Sequence, residues 1–284
     1  MVAVIWGTNF VVIEAGLADM PPLLFLVIRF VVVLFPALLI VPRPAVGWRD
    51  LAVVGTLMST AQFSLLYLGL NAGMPVGLAS LVVQVQVLLT VLIARVVLRE
   101  RPTRRQVAGV LLGAAGLAIV AVGRSAATPL DSLLLTVAAA LCWAAGNVAS
   151  RRLGVVSGLS MTVWSGVVVP LPLLLLSLLV EGPQRIGDAL AHVPLSAIGS
   201  TLFTAYLSSL VGYGVWNSLL ARHTAAAVAP FTLLIPAVGL ITAWLVHGEL
   251  PNPAEASGGV LLVLGVGISV LRRAPAERVR RSAP

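Results

Sequence analysis

Asn9, Gln62, Gln84, Gln86 and Asn147 are side-chain amides set inside long apolar runs, and Trp143 and Tyr213 lie in similar surroundings. A polar group in hydrocarbon is costly, so its presence asks for a reason. An amide both donates and accepts hydrogen bonds, which suits a small zwitterionic solute. The same group also bonds neighbouring helices to one another, and the residues leave both uses open. Gln84 and Gln86 stand two positions apart, about 200° around a regular helix, so only one of them is expected to face a given cavity. Trp143 and Asn147 are four apart and share a helix face, where an aromatic wall beside an amide fits an amino-acid-like solute. These seven residues are the expected substrate contacts. Asn217 belongs with them in type, and Trp6, Tyr67, Trp164 and Trp216 form a second tier of aromatic candidates.

Two charges fall inside apolar runs near the same depth: Glu14 late in the first and Arg29 a few residues into the second. Antiparallel neighbours would bring them together, so a Glu14–Arg29 pair is expected, either structural or serving proton or charge coupling. Glu100 and Glu249 sit at corners between runs and read as helix-end structural groups. His192, His223 and His247 are far apart, and Cys142 is the sole cysteine, so neither a metal site nor an intrachain disulfide is expected. There is no Walker motif, no cofactor is implied, and no catalytic residue is assigned. A membrane-embedded enzyme would need His, Asp or Glu gathered at one depth, which the sequence does not offer.

The elements that must position these groups follow from composition. Of 284 residues, 59% are hydrophobic and 10% charged, with mean hydropathy +1.06. Soluble domains carry about 25% charged residues, so the solvent here is lipid. Apolar runs occupy roughly 1–17, 22–41, 51–71, 76–98, 105–123, 131–150, 159–180, 195–220, 224–247 and 254–272. Each approaches the length of about 20 residues that spans a bilayer, and none alternates as barrel strands do. An all-α membrane protein of ten transmembrane helices is expected. Its breaks fall at Pro21-Pro22, Pro42-Arg43-Pro44, Arg101-Pro102-Thr103 and Pro251-Asn252-Pro253, where helices lose hydrogen bonds. The first run is short, and the recorded start is expected to lie within the true first helix. Pro230 and Pro236 in the ninth run, with Pro170 and Pro172 in the seventh, predict bends, that of the ninth helix serving alternating access.

All 18 basic residues are Arg, and the pI is near 11.3. They cluster between apolar runs rather than forming a basic face, so they read as topology signals and not as a nucleic-acid surface. With the N-terminus inside, fourteen of them fall in cytoplasmic segments, and only Arg124 and Arg185 lie outside. Both termini are therefore expected in the cytoplasm, with 274–284 a basic tail at the anionic inner leaflet.

The two halves match at an offset of 149 residues: Glu100 on Glu249, Pro102 on Pro251, Gly109 on Gly258, Gly116 on Gly265 and Arg124 on Arg273. Five spans per half force the second half upside down. The expected organisation is a five-helix repeat over 1–124 and an inverted one over 131–273. Inverted repeats are a transporter design that holds substrate between the halves. Gly109-xxx-Gly113, with Gly258, Gly265 and Gly267, marks close helix contacts or a dimer seam, leaving monomer and homodimer both open.

Trp6-Gly7-Thr8-Asn9-Phe10, Pro21-Pro22, Arg29-Phe30 and the Glu100-Arg101-Pro102 corner resemble the drug/metabolite transporter superfamily, EamA type. Longer stretches, Gly73 to Gln86, Cys142 to Asn147, Val211 to Trp216 and Val228 to Leu240, look like the bacterial O-acetylserine/cysteine exporter branch. The resemblance covers nearly the whole chain. It implies export of small amino-acid-type metabolites across the bacterial cytoplasmic membrane by alternating access. Broad drug efflux is the alternative within transport. The pattern usually has more residues before Trp6-Gly7 and a Lys where this chain has Glu14.

Overall fold

Proline and short polar breaks stop the helices close to where the sequence predicts. The computed structural model describes residues 1–18, 20–123, 128–153, 157–222, 234–248 and 250–270, without the side chains of 217, 218 and 220–222. Asn217 as a side chain, His223, Pro230, Glu249 and the tail 274–284 lie outside the described residues.

The described chain is all-helical: α1 Val2–Leu17, α2 Pro22–Ile40, α3 Trp48–Asn71, α4 Val76–Val97, α5 Arg104–Gly123 and α6 Leu130–Arg152. It continues with α7 Gly158–Gly166, α8 Pro170–Val180, α9 Pro183–Ala191, α10 Leu195–Trp216, α11 Leu234–His247 and α12 Pro253–Val270. Seven of these (α2–α6, α10 and α12) are long and apolar enough to cross a membrane. Helices α7 and α8 form an eighth apolar unit bent by 47° just before Pro170, in the run where proline predicts a bend. Helices α1 and α11 are shorter and apolar. Exposed Leu, Ile, Val and Phe side chains cover the outside, such as Phe35, Leu39, Leu179 and Leu245, as a lipid-facing surface requires.

Five contacts sort helix ends onto two faces. On one face the Glu181 carboxylate after α8 accepts from the N–H groups of Leu23 and Leu24 at 2.7 and 3.0 Å. It thereby caps α2, where the free N–H groups and helix dipole favour an anion. There too Asn252 before α12 donates to the Gly123 carbonyl at 3.0 Å, and Glu14 of α1 meets His247 of α11 at 2.8 Å. On the other face Arg151 of α6 pairs with Glu100 at 2.8 Å, and Trp164 of α7 donates to the Val41 carbonyl at 3.0 Å.

Helices α5 and α12 pack more closely than large side chains allow. Gly116 opposes Gly258: a Cβ at either would stand 2.5 or 2.6 Å from the other's carbonyl oxygen. Gly109 opposes Gly265 in the same way. The glycine face of α5 is therefore occupied within the chain, and Gly113 is filled by Leu88 of α4. Of the two uses expected for Gly109-xxx-Gly113, the close helix contact within the chain is the one observed, and its small residues are thereby taken up.

Two helices widen locally into π-helix, α3 over Thr56–Ala61 and α10 over Phe203–Gly212. A π segment carries an extra residue per turn and exposes backbone carbonyls, and it recurs at functional sites. Ser209 Oγ donates to the Thr204 carbonyl five residues back at 2.8 Å, and the Ser208 carbonyl accepts from Trp6 Nε1 at 3.0 Å.

Candidate functional site

The π segments, the two N-terminal helices and parts of α4, α6 and α7 enclose a cavity of about 440 Å³. All seven expected contacts line it: Asn9, Gln62, Gln84, Gln86, Trp143, Asn147 and Tyr213. So does Arg29. The volume lies within the usual range for small-molecule sites, and the wall is mostly apolar with a few convergent polar groups.

Gln84 and Gln86 both line the cavity, against the expectation that a regular helix turns only one of them there. Helix α4 tightens at this point. Gln84 N–H donates to the Leu81 carbonyl, Gln86 N–H to Val83 and Val87 N–H to Gln84, all three residues back. A three-residue turn advances about 120° per residue rather than 100°, which swings the two amides toward each other. The helix-bonding role expected for one of the pair falls to Gln86, whose Oε1 accepts from Asn147 Nδ2 at 2.9 Å. Asn147 also reaches Thr90 Oγ1 at 3.4 Å. Such bonds between membrane helices contribute on the order of 0.6 kcal/mol. Among the described residues, the side-chain amides of Gln62 and Gln84 have no hydrogen-bond partner, though both are nearly buried.

One wall is aromatic. Trp6 stacks obliquely on Tyr213 and Trp216 with ring centroids 5.1 and 5.7 Å apart. Trp143 faces the same space. Two of the second-tier aromatics stand elsewhere. Tyr67 is fully buried behind the wall, and Trp164 packs against Trp48 at 6.4 Å.

Glu14 and Arg29 do not pair. Helix α1 packs along α11 rather than α2, so Glu14 finds His247, and both are more than a third exposed. Arg29 lies about 10 Å into α2 at helical rise and is 3% exposed. It donates to Tyr67 Oη at 2.9 Å and to Ser209 Oγ at 3.4 Å. Its guanidinium sits 4.4 Å from the Phe63 ring, a cation–π contact worth about 2 kcal/mol when desolvated.

The residues that sequence reasoning missed are small hydroxyls, Ser59, Ser208 and Ser209 from the two π segments, Ser150 from α6, and Thr162 and Ser165 from α7. A serine in an apolar helix is common and sends no signal by itself. The offset of 149 would have pointed to Ser59 and Ser208 together, since it aligns them.

A bundle of membrane-crossing helices around a central cavity, apolar but for a few convergent polar groups, is the architecture of a multi-pass membrane transporter. The chain belongs to the EamA-like transporter family, whose sequence profile matches residues 1–122 and again 131–271. It is 39% identical over 289 aligned positions to a Salmonella typhimurium protein named "Probable amino-acid metabolite efflux pump", covering 100% of this chain and 95% of that one. An Escherichia coli protein of the same name is 36% identical, covering 95% and 92% of the two chains. A solved crystal structure shares the fold with TM-score 0.61 at 22% identity, covering 94% of this chain and 93% of the other.

Proposed function

We propose that the protein exports small amino-acid metabolites of the O-acetylserine and cysteine kind across the bacterial cytoplasmic membrane by alternating access. The observation that carries this reading is the cavity, in which all seven expected polar and aromatic residues meet. The names of the Salmonella and Escherichia relatives support the substrate class. Cationic drug efflux would call for a deep carboxylate, and no Asp or Glu is among the described residues that line the cavity.

The reading includes ten spans in two inverted halves. The seven full-length helices, the bent α7–α8 unit, α1 and α11 together make ten. The glycine contacts support the inversion. With an offset of 149, Gly258 is the counterpart of Gly109 and Gly265 of Gly116. The observed pairs are Gly109 with Gly265 and Gly116 with Gly258. That is the reciprocal pattern a two-fold axis demands: Gly109 meets the counterpart of Gly116, and Gly116 meets the counterpart of Gly109. The π segments fall at equivalent places too, since Thr56–Ala61 maps onto 205–210. Glu14, beside His247, is the carboxylate to test for proton coupling.

The test is efflux from cells lacking their own exporters, loaded with O-acetylserine, cysteine, other amino acids or cationic dyes. Export of O-acetylserine or cysteine is expected, with loss in Asn147→Ala at normal membrane levels. Export of dyes alone would overturn the reading. If Glu14→Gln left the dependence of export on the proton gradient unchanged, coupling would lie elsewhere.

A further inference from the structure

Besides the amides of Gln62 and Gln84, two fully buried polar atoms of the described cavity-lining residues are left without a hydrogen-bond partner in the protein: Nε of Arg29 and Oδ1 of Asn9. The hydroxyls left this way among the described residues, on Thr60, Ser64 and Ser269, belong to residues outside the lining, and the Glu14 carboxylate, also outside it, has His247 beside it. Guanidinium carries five N–H bonds. The contacts of Arg29 engage Nη1 and Nη2, and both acceptors are neutral hydroxyls. Among the described lining residues it is also the sole Arg, Lys, Asp or Glu. Its charge is therefore uncompensated by the wall, and a buried charge without a counter-charge is expensive.

The chemistry of the missing partner follows. A guanidinium is a planar fork that matches a carboxylate, and the match is strongest where water is excluded. Phe63 at 4.4 Å, Phe30 at 5.8 Å and the Tyr67 hydroxyl fix the fork before any ligand arrives. The free Oδ1 of Asn9 is an acceptor and so takes a donor, as an ammonium is. A fixed cation on α2 and a free acceptor on α1 complement the two ends of a zwitterion.

Resting on the export reading above, we propose that Arg29 anchors the carboxylate of the transported solute while Asn9 Oδ1 accepts from its ammonium. The cavity then selects α-amino acids over amines of the same shape. The competing account makes Arg29 a purely structural strut joining α2 to α3 and α10, which gives no reason to prefer a carboxylate.

Inside-out membrane vesicles bearing the wild-type protein and loaded with radiolabelled cysteine outside them separate the two. Cysteine methyl ester masks the carboxylate and cysteamine lacks it. Both should need at least roughly tenfold more competitor than cysteine to halve uptake, the loss expected for one charge-assisted pair. Arg29→Lys should keep part of that preference, and Arg29→Gln should bring cysteine and its ester within about twofold of each other. 3-Mercaptopropionate lacks the ammonium and should compete less well than cysteine, with the gap closing in Asn9→Leu. Equal competition by cysteine, its ester and cysteamine in the wild type overturns the assignment while leaving export intact, and needs no variant to fold. Absence of uptake of both cysteine and O-acetylserine by the wild type overturns the export reading and takes this assignment with it.

Discussion

Trp6 holds one side of the cavity through a single hydrogen bond to the Ser208 carbonyl, 3.0 Å away. It can do so because Gly212 leaves room: a Cβ there would stand 2.6 Å from Trp6 Nε1. Gly212→Ala should therefore push the indole off its acceptor and toward Tyr213 and the cavity. Gly214, two residues on, has open space around it and provides the control. Export per molecule should fall several-fold in Gly212→Ala and hardly change in Gly214→Ala, at equal membrane levels, since small-to-large changes in a packed site cost about 1–3 kcal/mol. Equal export by the two variants would mean that Trp6 does not shape the transport path. The site was legible in the sequence to the extent that a polar atom is conspicuous among apolar ones. Asn9, Gln62, Gln84, Gln86 and Asn147 announced themselves in this way. The pairing of Glu14 did not, because it depends on α1 lying along α11, a neighbour more than two hundred residues away.

Helix boundaries were readable because proline and polar corners stop helices by a local mechanism. The π segments were not, since an extra residue in a turn has no composition of its own. They nevertheless shape the site, turning Ser59 of α3 and Ser208 and Ser209 of α10 toward the cavity. The tight turn at Gln84 was hidden for the same reason. The α5–α12 contact shows the opposite case, in which glycine spacing forecast a close approach and left open only whether the partner lay in the same chain. Backbone meets backbone there, so neither side has a flexible end that could yield. Gly116→Leu should destabilise the protein by more than the roughly 1–3 kcal/mol typical of overpacking. Gly199→Ala, in open space on α10, should be nearly neutral. Thermal unfolding in detergent would read both, and a Gly116→Leu protein as stable as its parent would show that the contact is dispensable.

Orientation belongs to the entire chain, because no single helix determines it. Five end-to-end contacts fix which helix ends share a face, but both faces could in principle look inward. The arginines break the tie. The face that holds the Glu100–Arg151 pair also holds the Arg43-to-Arg49 and Arg99-to-Arg105 clusters, whereas among the described residues the opposite face carries Arg185 alone, in α9. A bias of this size in short loops favours the cytoplasm for the arginine-rich face, and we propose that orientation. Two exposed positions then give opposite results in a Cys142→Ala background: Ala45 in the loop after α2, and Gln184 in α9. In spheroplasts a membrane-impermeant maleimide should label Gln184→Cys and spare Ala45→Cys until the membrane is opened. The reverse pattern would invert the molecule and with it the direction of export. Labelling of both in intact spheroplasts would mean that the chain inserts in two orientations, so that the arginine bias is too weak to choose.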